Sequence, residues 1–521
     1  MNFRQKLKKM LKPCLIIGLF VMFSACGAEN TEEQTEYIRP NPTIPVVELV
    51  EEPDSEPAEI INLISPFVPN YVINIDVIPS EHIVTGAVQV SFQNTSEYMI
   101  DKVLFNIPFN VFSQDFDGIV SLPAFEGRIF QRGHFYGYMN VVAATVNLVP
   151  AVFSLDTTML AVYLDEHLQP GQHTDIHIAF EAFVPPISHR TGANENAMWF
   201  GNFLPTLAVF DDGLWHLNTF FPVGHPFLTP SGNYDVSITT PPLFFVIAGT
   251  GGVRSQHAEF ATTTFELLLA RDFAFAVFSD VYSHSRLQTD SGADISVYHQ
   301  QTGADIDIDA ILATAEVAFD YFSARIGTLP YSAIDIAEVE LFFNNTIAYP
   351  GMIFVDSRFF HSHSLHNAIS RDMGLQWFYN VVGHNPISEA WLAHGLVAFL
   401  QLGLDMDNDE ISAHAKTVHR NLAESFDDIE FTQLSRDLGH YNAWLEFHNV
   451  HGQRGMLLFY SLWRTMGDEA FDEFLRLYYQ RYAFSIATSE GLIRAAEKIH
   501  GEPLDEFFDG WINSPALPAL P

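Results

Sequence analysis

Residues 370–400 read SRDMGLQWFYNVVGHNPISEAWLAHGLVAFL. Apolar residues in and around this stretch follow helical spacing, which predicts two helices, at 363–381 and 390–402. The first predicted helix carries Gln-Trp-Phe at 376–378, and the second carries Trp-Leu-Ala-His-Gly at 391–395.

The sequence before this stretch has a period of two, which is typical of strands with one buried face. Apolar residues alternate over 71–77 and 84–92, and again over 176–180 and 234–238. Turn residues such as Gly and Pro separate these runs. We therefore expect residues 65–282 to form a mostly antiparallel β domain.

Helical spacing dominates residues 283–521, which we expect to form a helix-rich domain. A helix over 308–326 has Asp305 or Asp307 as its candidate N-cap, and Asp468 is the candidate cap of a later helix. The predicted fold class is thus α+β. A chain of 521 residues, 48% of them hydrophobic, is long enough for more than one large core.

The 370–400 segment resembles the core of the aminopeptidase N family of gluzincins. In that family one helix carries His-Glu-x-x-His before a Gln-Trp-Phe type sequence, and a second helix supplies a third zinc ligand in Trp-Leu-x-Glu-Gly. The resemblance places the first His at Arg371, the Glu at Asp372 and the second His at Leu375. It places the third ligand at His394.

The resemblance extends over most of residues 65–515 and implies two domains. It implies an N-terminal antiparallel β saddle domain at 65–282 and a thermolysin-like domain at 283–521. Three segments of the β domain support it: GNFLPTLAVFDDGLW at 201–215, NYDVSITTP at 233–241 and RDFAFAVFS at 271–279.

Two further functional positions of the family are changed. The segment NTIAYPGM at 345–352 aligns with a strand whose Glu holds the substrate amine in the family, and it places Ala348 at that Glu. The segment HGQRGM at 451–456 places Gly452 where the family has a Tyr that stabilises the tetrahedral intermediate.

These replacements remove the chemistry of a zinc peptidase. Arginine stays protonated and leucine has no donor atom, so His394 alone cannot hold zinc. We therefore expect no zinc or other cofactor and no catalytic residue. Asp372 is expected to pair with Arg371, and Arg371, Asp372 and His394 are candidates for binding a ligand in the groove. A fixed positive charge at Arg371 would favour ligands with a free carboxylate.

A histidine-rich segment offers a different metal site. His361, His363 and His366 stand close together in the sequence, and imidazoles can bind zinc or copper. On a helix, His366 lies roughly 140° away from the face of Arg371. We expect this run to be solvated, and adventitious metal binding stays an alternative.

The N-terminus predicts a bacterial lipoprotein. Residues 1–26 combine a basic segment, an apolar stretch too short for a confident membrane span, and small residues before Cys26. Cys26 is then the lipid attachment site, and a plain secretory signal is the alternative. Residues 27–64 are acidic and rich in Pro, which suits an extended tether. The only other cysteine, Cys14, lies inside the signal, so no disulfide is expected.

The charge of the chain excludes nucleic acid as an expected partner. Lys and Arg number 25 against 63 Asp and Glu, for a net charge of −38. Such a surface repels phosphate backbones. Contact with the membrane is expected through the lipid anchor only.

The sequence favours a non-catalytic binding protein on the outer face of a bacterial cell membrane. Its expected partner is a peptide or protein in the groove between the domains. Two alternatives are an enzyme, as a residual or rearranged-site metallopeptidase or a hydrolase of unrelated mechanism, and a purely structural spacer. The identity of the ligand and the oligomeric state are not encoded in any recognisable motif.

Overall fold

The computed structural model describes most of the chain after residue 67. The described residues are 68–116, 129–130, 132–133, 135–216, 220–221, 223–225, 227–301, 306–341, 345–360, 362–426, 432–441 and 443–521. The predicted signal peptide, Cys26 and the predicted tether lie outside them. All described residues belong to one compact unit.

The first part of the described chain is built from strands. They are β1 (Asn70–Ile78), β2 (Ile83–Gln93), β3 (Ile100–Asn106), β4 (Tyr138–Val146), β5 (Val149–Pro150), β6 (Phe153–Asp156), β7 (Met159–Leu168), β8 (His173–Phe183), β9 (Thr191–Ala193), β10 (Ala197–Phe200), β11 (Thr206–Leu207), β12 (Phe210–Asp211), β13 (Leu214–Trp215), β14 (Gly232–Thr240), β15 (Phe245–Ile247), β16 (Gly252–Gln256), β17 (Ala261–Ala270) and β18 (Phe275–Phe278). Short 3-10 turns at Pro79–Glu81 and Pro108–Phe112 interrupt them.

These strands form sheets that are almost entirely antiparallel. The largest has the order β16-β17-β14-β1-β2-β8-β4-β5, and smaller ones have the orders β15-β18-β10-β9, β11-β3-β7-β6 and β12-β13. Only the β1 to β14 pairing among them is parallel in the described residues. The four strands predicted from period-two alternation are β1, β2, β8 and β14. In β1 every second residue is buried, as the sequence pattern predicts.

A five-stranded sheet begins at Tyr282 and introduces the helical part. It is called the second sheet below because it lies in the second part of the chain. It contains β19 (Tyr282–Gln288), β20 (Asp294–Gln300), β21 (Ala333–Val339), β22 (Thr346–Tyr349) and β23 (Met352–Asp356), in the order β19-β20-β21-β23-β22. A short parallel pair, β24 (Gly383–His384) and β25 (Ile486–Ala487), lies apart from it. Every residue of β21 and β23 is buried, as expected for inner strands that are covered on both faces.

Helices dominate the rest of the described chain. They are α1 (Ile308–Arg325), α2 (Leu365–Gly374), α3 (Trp391–Leu402), α4 (Asn408–Phe426), α5 (Trp444–Phe447), α6 (Gly455–Met466), α7 (Asp468–Tyr482), α8 (Ser489–His500) and α9 (Asp505–Ile512). Irregular turns with π-helical hydrogen bonds occupy Gln376–Val381 and His448–Arg454, and a 3-10 turn occupies Leu438–His440. This distribution confirms the predicted α+β fold class.

The predicted N-cap of α1 is confirmed, whereas that of α7 is wrong. Asp307 caps α1 as expected, and its carboxylate accepts a hydrogen bond from the Ala310 amide at 3.0 Å. The prediction for Asp468 is wrong, because Gly467 is the residue that precedes α7. The Asp468 carboxylate instead accepts a hydrogen bond from the indole of Trp463 at 2.6 Å.

The predicted helix over 363–381 is wrong in its second half, because α2 ends at Gly374. The buried amide of Gln376 donates to the Tyr349 carbonyl and accepts from the amide N–H of Gly351. Phe378 then has φ −111° and ψ 69°, outside the helical region. The backbone continues in π-type hydrogen bonds, such as that from the Asn380 amide to the Leu375 carbonyl, while the Gln376 side chain binds the segment between β22 and β23.

One continuous apolar core joins the strands of the first part to the helices of the second. It includes Val236 of β14 and Trp391 of α3, which are almost completely buried. A smaller cluster around Trp199 and Phe278 packs against the second sheet. Within the described residues, no helix has the length and apolar character needed to cross a bilayer.

Candidate functional site

Arg371 and Asp372 form an ion pair near the end of α2. Both Nε and Nη2 of Arg371 lie 2.7 Å from Oδ1 of Asp372. Nη2 also donates to the Thr346 hydroxyl of β22 at 2.7 Å. The Arg371 side chain is 42% exposed, whereas that of Asp372 is 1% exposed. The guanidinium thus links α2 to the second sheet and balances a buried carboxylate.

The second carboxylate oxygen of Asp372 receives no such hydrogen bond. Oδ2 is buried and has no hydrogen-bond partner in the described part of the chain. A buried acceptor without a partner is unusual, and such groups occur where a site binds something else. Leu375, one helical turn beyond Arg371, is buried among apolar residues of the core.

His394 lies on α3 and stacks against a histidine from the strand-rich part of the chain. The rings of His394 and His225 are nearly parallel, with an interplanar angle of 14° and centroids 5.5 Å apart. Phe447 contacts the ring of His394 edge-on. Nη2 of Arg190 lies 2.9 Å from Nδ1 of His225. Since an arginine can only donate, that nitrogen accepts, and His225 carries its proton on Nε2.

Burial keeps the histidines around this stack neutral. It lowers the pKa of His394 to about 3, with the charges of Arg371 and His448 acting in the same direction. Burial, and then the neighbouring Arg190, lowers the pKa of His225 well below its usual range. His384, His448 and His451 also have lowered pKa values, with burial as the main cause. The site is therefore a cluster of neutral imidazoles beside the Arg371 guanidinium.

Ala348 and Gly452 leave two positions without a functional side chain. Ala348 is buried on β22 and lines a small cavity shared with His225 and His384. Gly452 is buried in the irregular turn at 448–454. A Cβ atom added there would lie 3.0 Å from Nδ1 of His448, so a larger residue would have to displace that ring.

Residues 342–511 match the model of the peptidase family M1 domain. This matched region contains the ion pair of α2, the histidine of α3 and Gly452. The resemblance to the aminopeptidase N family is confirmed.

Solved structures of M1 zinc metallopeptidases have the same fold. One is a substituted enzyme from Deinococcus radiodurans bound to a Tyr-Ser-Ala substrate, with a TM-score of 0.63 and 15% identity. It is matched over 87% of this chain and 95% of its own length. A second structure from Deinococcus radiodurans, described without a substitution, has a TM-score of 0.61 and 15% identity, with the same coverage.

A curated relative is an aminopeptidase-like protein, AC3.5, of Caenorhabditis elegans. It is 20% identical over 312 residues, which is 53% of this chain. The match covers 27% of that protein, so this chain spans about a quarter of the curated relative that it matches.

The donor set at the M1 motif positions does not fit zinc. Arg371 keeps its proton and pairs with Asp372, and Leu375 has no donor atom, so His394 is the only metal-binding side chain of the three. Across the described residues, no group of three His, Cys, Asp or Glu side chains is placed to hold a metal. That the protein binds no zinc stays a prediction.

The two described histidines of the histidine-rich segment, His363 and His366, are both exposed. His363 is exposed in a turn. His366 is exposed on α2, and its Nδ1 lies 2.5 Å from the Thr314 hydroxyl. His361 lies outside the described residues.

Several residues of the site are not predictable from the family motif. They are Arg190, His225, Thr346, His384 and His448. Each comes from a segment far from 370–400 or carries no motif of its own. The one available signal is the pair of histidines at His448 and His451, one turn apart, of which His451 begins the segment that aligns with the family Tyr.

Proposed function

We propose that this chain is a non-catalytic member of the M1 fold that binds a peptide or protein ligand instead of hydrolysing it. The observation that carries the proposal is the Arg371–Asp372 ion pair. It occupies the positions at which the aminopeptidase N motif has its first zinc ligand and its general base. A protonated guanidinium repels a metal cation, and the carboxylate that it holds has no metal-bound water to deprotonate.

Arg371 supplies the chemistry for recognising a ligand. Its Nε and Nη2 are engaged by Asp372 and Thr346, and its side chain is 42% exposed. The Nη1 edge, which has no partner among the described residues, is then available to an incoming carboxylate. Ala348 replaces the Glu that binds an amine in the family, so the negative charge for a peptide N-terminus is lost. Both changes favour a ligand that presents a carboxylate rather than an amine.

Calorimetry with a defined peptide tests this proposal. Tyr-Ser-Ala, the substrate bound to the Deinococcus enzyme, is a suitable probe together with its C-terminal amide. We expect the free acid to bind more tightly and to remain intact after incubation. Arg371→Gln should weaken binding of the free acid by about 1–3 kcal/mol, because the guanidinium is 42% exposed and partly solvated. Arg371→Lys should restore it only in part, because lysine lacks the planar fork of donors.

The control for this experiment is Arg494→Gln. Arg494 forms an exposed ion pair with Glu490 on α8, away from the candidate site. The Arg494→Gln variant should bind both peptides with the affinities of the unsubstituted protein. Equal affinities for acid and amide, or no effect of Arg371→Gln, would refute the carboxylate proposal.

The proposal includes the location of the protein. The N-terminal pattern around Cys26 supports a lipoprotein on the outer face of a bacterial membrane, held there by the lipid alone. The acidic, Pro-rich segment 27–64 would hold the folded part away from the surface. With a net charge of −38, the chain is not expected to bind nucleic acid.

A further inference from the structure

A small cavity next to Ala348 contains more buried positive charge than the described residues balance. Its volume is about 30 Å³, which is room for one or two small groups. Its lining combines apolar residues such as Phe227 and Pro350 with polar ones. The polar lining includes Arg190, Asn202, His225, Arg271, Asp272 and His384.

Two guanidinium groups line this cavity without an ion-pair partner among the described residues. Arg190 is 6% exposed and Arg271 is 8% exposed. Arg190 donates to the Gly224 carbonyl and to His225, and it lies over the ring of Phe227. None of these partners carries a negative charge.

Arg271 is surrounded by carbonyl groups. Nη1 donates to the Thr229 carbonyl, and Nη2 donates to the carbonyls of Val381 and Ser485. Burial lowers its pKa to about 10, which still leaves it charged at neutral pH. Within the described residues, neither Arg190 nor Arg271 has a carboxylate within 4 Å. Gly383 packs against the Arg271 guanidinium, and a Cβ atom at that position would lie 2.2 Å from the guanidinium carbon.

The one carboxylate in the cavity lining is already engaged. Asp272 accepts hydrogen bonds from the backbone and side-chain nitrogens of Asn202 and from the amide of Phe273. It offsets one of the two guanidinium charges. One positive charge remains, and a buried charge without a counter-charge is costly.

Unpartnered polar atoms on the cavity lining are a second, independent observation. Nε of Arg271 and Nε2 of His384 are buried and have no hydrogen-bond partner in the described chain. His384 is 5% exposed. Oδ1 of Asn202 is also without a partner there and can accept from a water molecule. The Tyr349 hydroxyl on the lining is buried and unpartnered as well, and it can donate. With the Arg271 Nε–H and the Nε2–H tautomer of His384, the free donors then outnumber the Asn202 oxygen, as is typical of a place for an anion.

We propose that this cavity binds a small monovalent anion of halide size. Nε–H of Arg271 donates to it, and so does His384 in the tautomer that carries its proton on Nε2. The positive charge that Asp272 leaves unbalanced on the two guanidinium groups holds it. The anion stabilises the contact between the strand-rich part, which supplies Arg271, and the helical part, which supplies His384. This proposal does not depend on a peptide ligand at Arg371.

Thermal unfolding of the purified protein in two salt series tests the proposal. One series raises sodium chloride or bromide, and the other raises sodium gluconate, whose anion is too large for the cavity, at matched ionic strength. We expect a saturable rise in Tm with halide only. A hundredfold excess over the dissociation constant should raise Tm by about 3 °C. Identical curves in both series would mean that the cavity holds water alone, and would overturn the proposal.

A pair of matched variants locates the effect. His384→Phe keeps an aromatic ring but removes the unpartnered nitrogen, and it should weaken halide binding about tenfold or more. His451→Phe is the control, since His451 is completely buried but does not line the cavity. It should keep the halide response of the unsubstituted protein. Equal losses in both variants, or none in His384→Phe, would refute the assignment.

Crystals of the unsubstituted protein grown or soaked in bromide give a test that does not depend on the stability of any variant. We expect an anomalous peak within hydrogen-bond distance of Nε of Arg271 and Nε2 of His384. Ordered density without anomalous signal at that position would identify water and overturn the proposal.

Discussion

Among single residues, the Arg371–Asp372 pair carries the proposal that this chain does not hydrolyse peptides. Oδ1 of the buried Asp372 receives two N–H groups from Arg371. A carboxylate that is 1% exposed depends on that partner, because it cannot be solvated by water. The pair is therefore expected to contribute to stability as well as to ligand binding.

Removing the guanidinium should destabilise the protein. Arg371→Ala leaves the Asp372 carboxylate buried without a cation, at an expected cost of about 1–3 kcal/mol because Arg371 itself is partly solvated. Denaturant unfolding measures this free energy. Arg494→Ala, which breaks an exposed pair on α8, should cost less than about 1 kcal/mol. Equal midpoints for the two variants would contradict the account.

The histidines can be tested at the same scale through pH. The pKa of His394 is lowered to about 3 in the folded state, whereas an unfolded histidine titrates near 6.5. The unfolded chain therefore takes up a proton first as pH falls, so stability is complete above about pH 6.5 and is lost progressively down to about pH 3.

His394→Gln should flatten this dependence by up to about 1.4 kcal/mol per pH unit between pH 6 and 4. Unfolding midpoints measured over this range, with the unsubstituted protein in the same buffers as reference, determine the slope. A variant slope as steep as that of the unsubstituted protein would show that His394 titrates normally in the folded state.

At the scale of elements, the site depends on close packing between helices. α3 and α6 approach until their backbones touch at Gly395 and Gly455. A Cβ added to Gly395 would lie 2.7 Å from the backbone of Gly455. This contact fixes the position of the neighbouring residue, His394, against the ring of His225.

Gly395→Ala should therefore separate the two helices and destabilise the protein by about 1–3 kcal/mol. Gly510→Ala on α9 is the matched control, since a Cβ there meets no atom within 4 Å. That substitution should be neutral or stabilise by up to about 1 kcal/mol, as expected for alanine in place of a helical glycine. Calorimetric unfolding of both variants checks the prediction, and a stabilised Gly395→Ala would contradict it.

Elements set by local sequence patterns were predictable, whereas those set by tertiary contacts were not. The strand β1 and the Asp307 cap were predictable because alternation and capping are local patterns. The end of α2 at Gly374 was not, since Gln376 bonds to Tyr349 and Gly351 of a distant sheet. The residues at the motif positions, Arg371, Leu375 and His394, were readable from the sequence register. The contacts of Arg371 with Thr346 and of His394 with His225 are tertiary, and no local pattern encodes them.

At the scale of the whole molecule, the anchor at Cys26 can be tested in cells. Cys26 follows a basic segment, a short apolar stretch and small residues, as in lipoprotein signals. Cys26→Ser should move the protein from the membrane fraction to the soluble fraction, because the lipid is its expected membrane contact. Fractionation and immunoblotting measure this. Membrane retention of a processed Cys26→Ser protein would refute the anchor.

We propose that the chain retains an M1 fold without zinc catalysis. The predicted domain boundary near residue 282 and the assignment of a binding role stay predictions. The confirmed family resemblance makes the opposite outcome, a metallopeptidase with a rearranged site, the rival that has to be tested first.

Metal analysis of the purified protein, combined with hydrolysis of aminoacyl reporter substrates before and after chelation, tests the central claim most directly. The account predicts less than stoichiometric zinc and no hydrolysis above background, because Arg371 and Leu375 supply no metal donor. One tightly bound zinc per chain, with reporter hydrolysis that is lost on chelation, would contradict it.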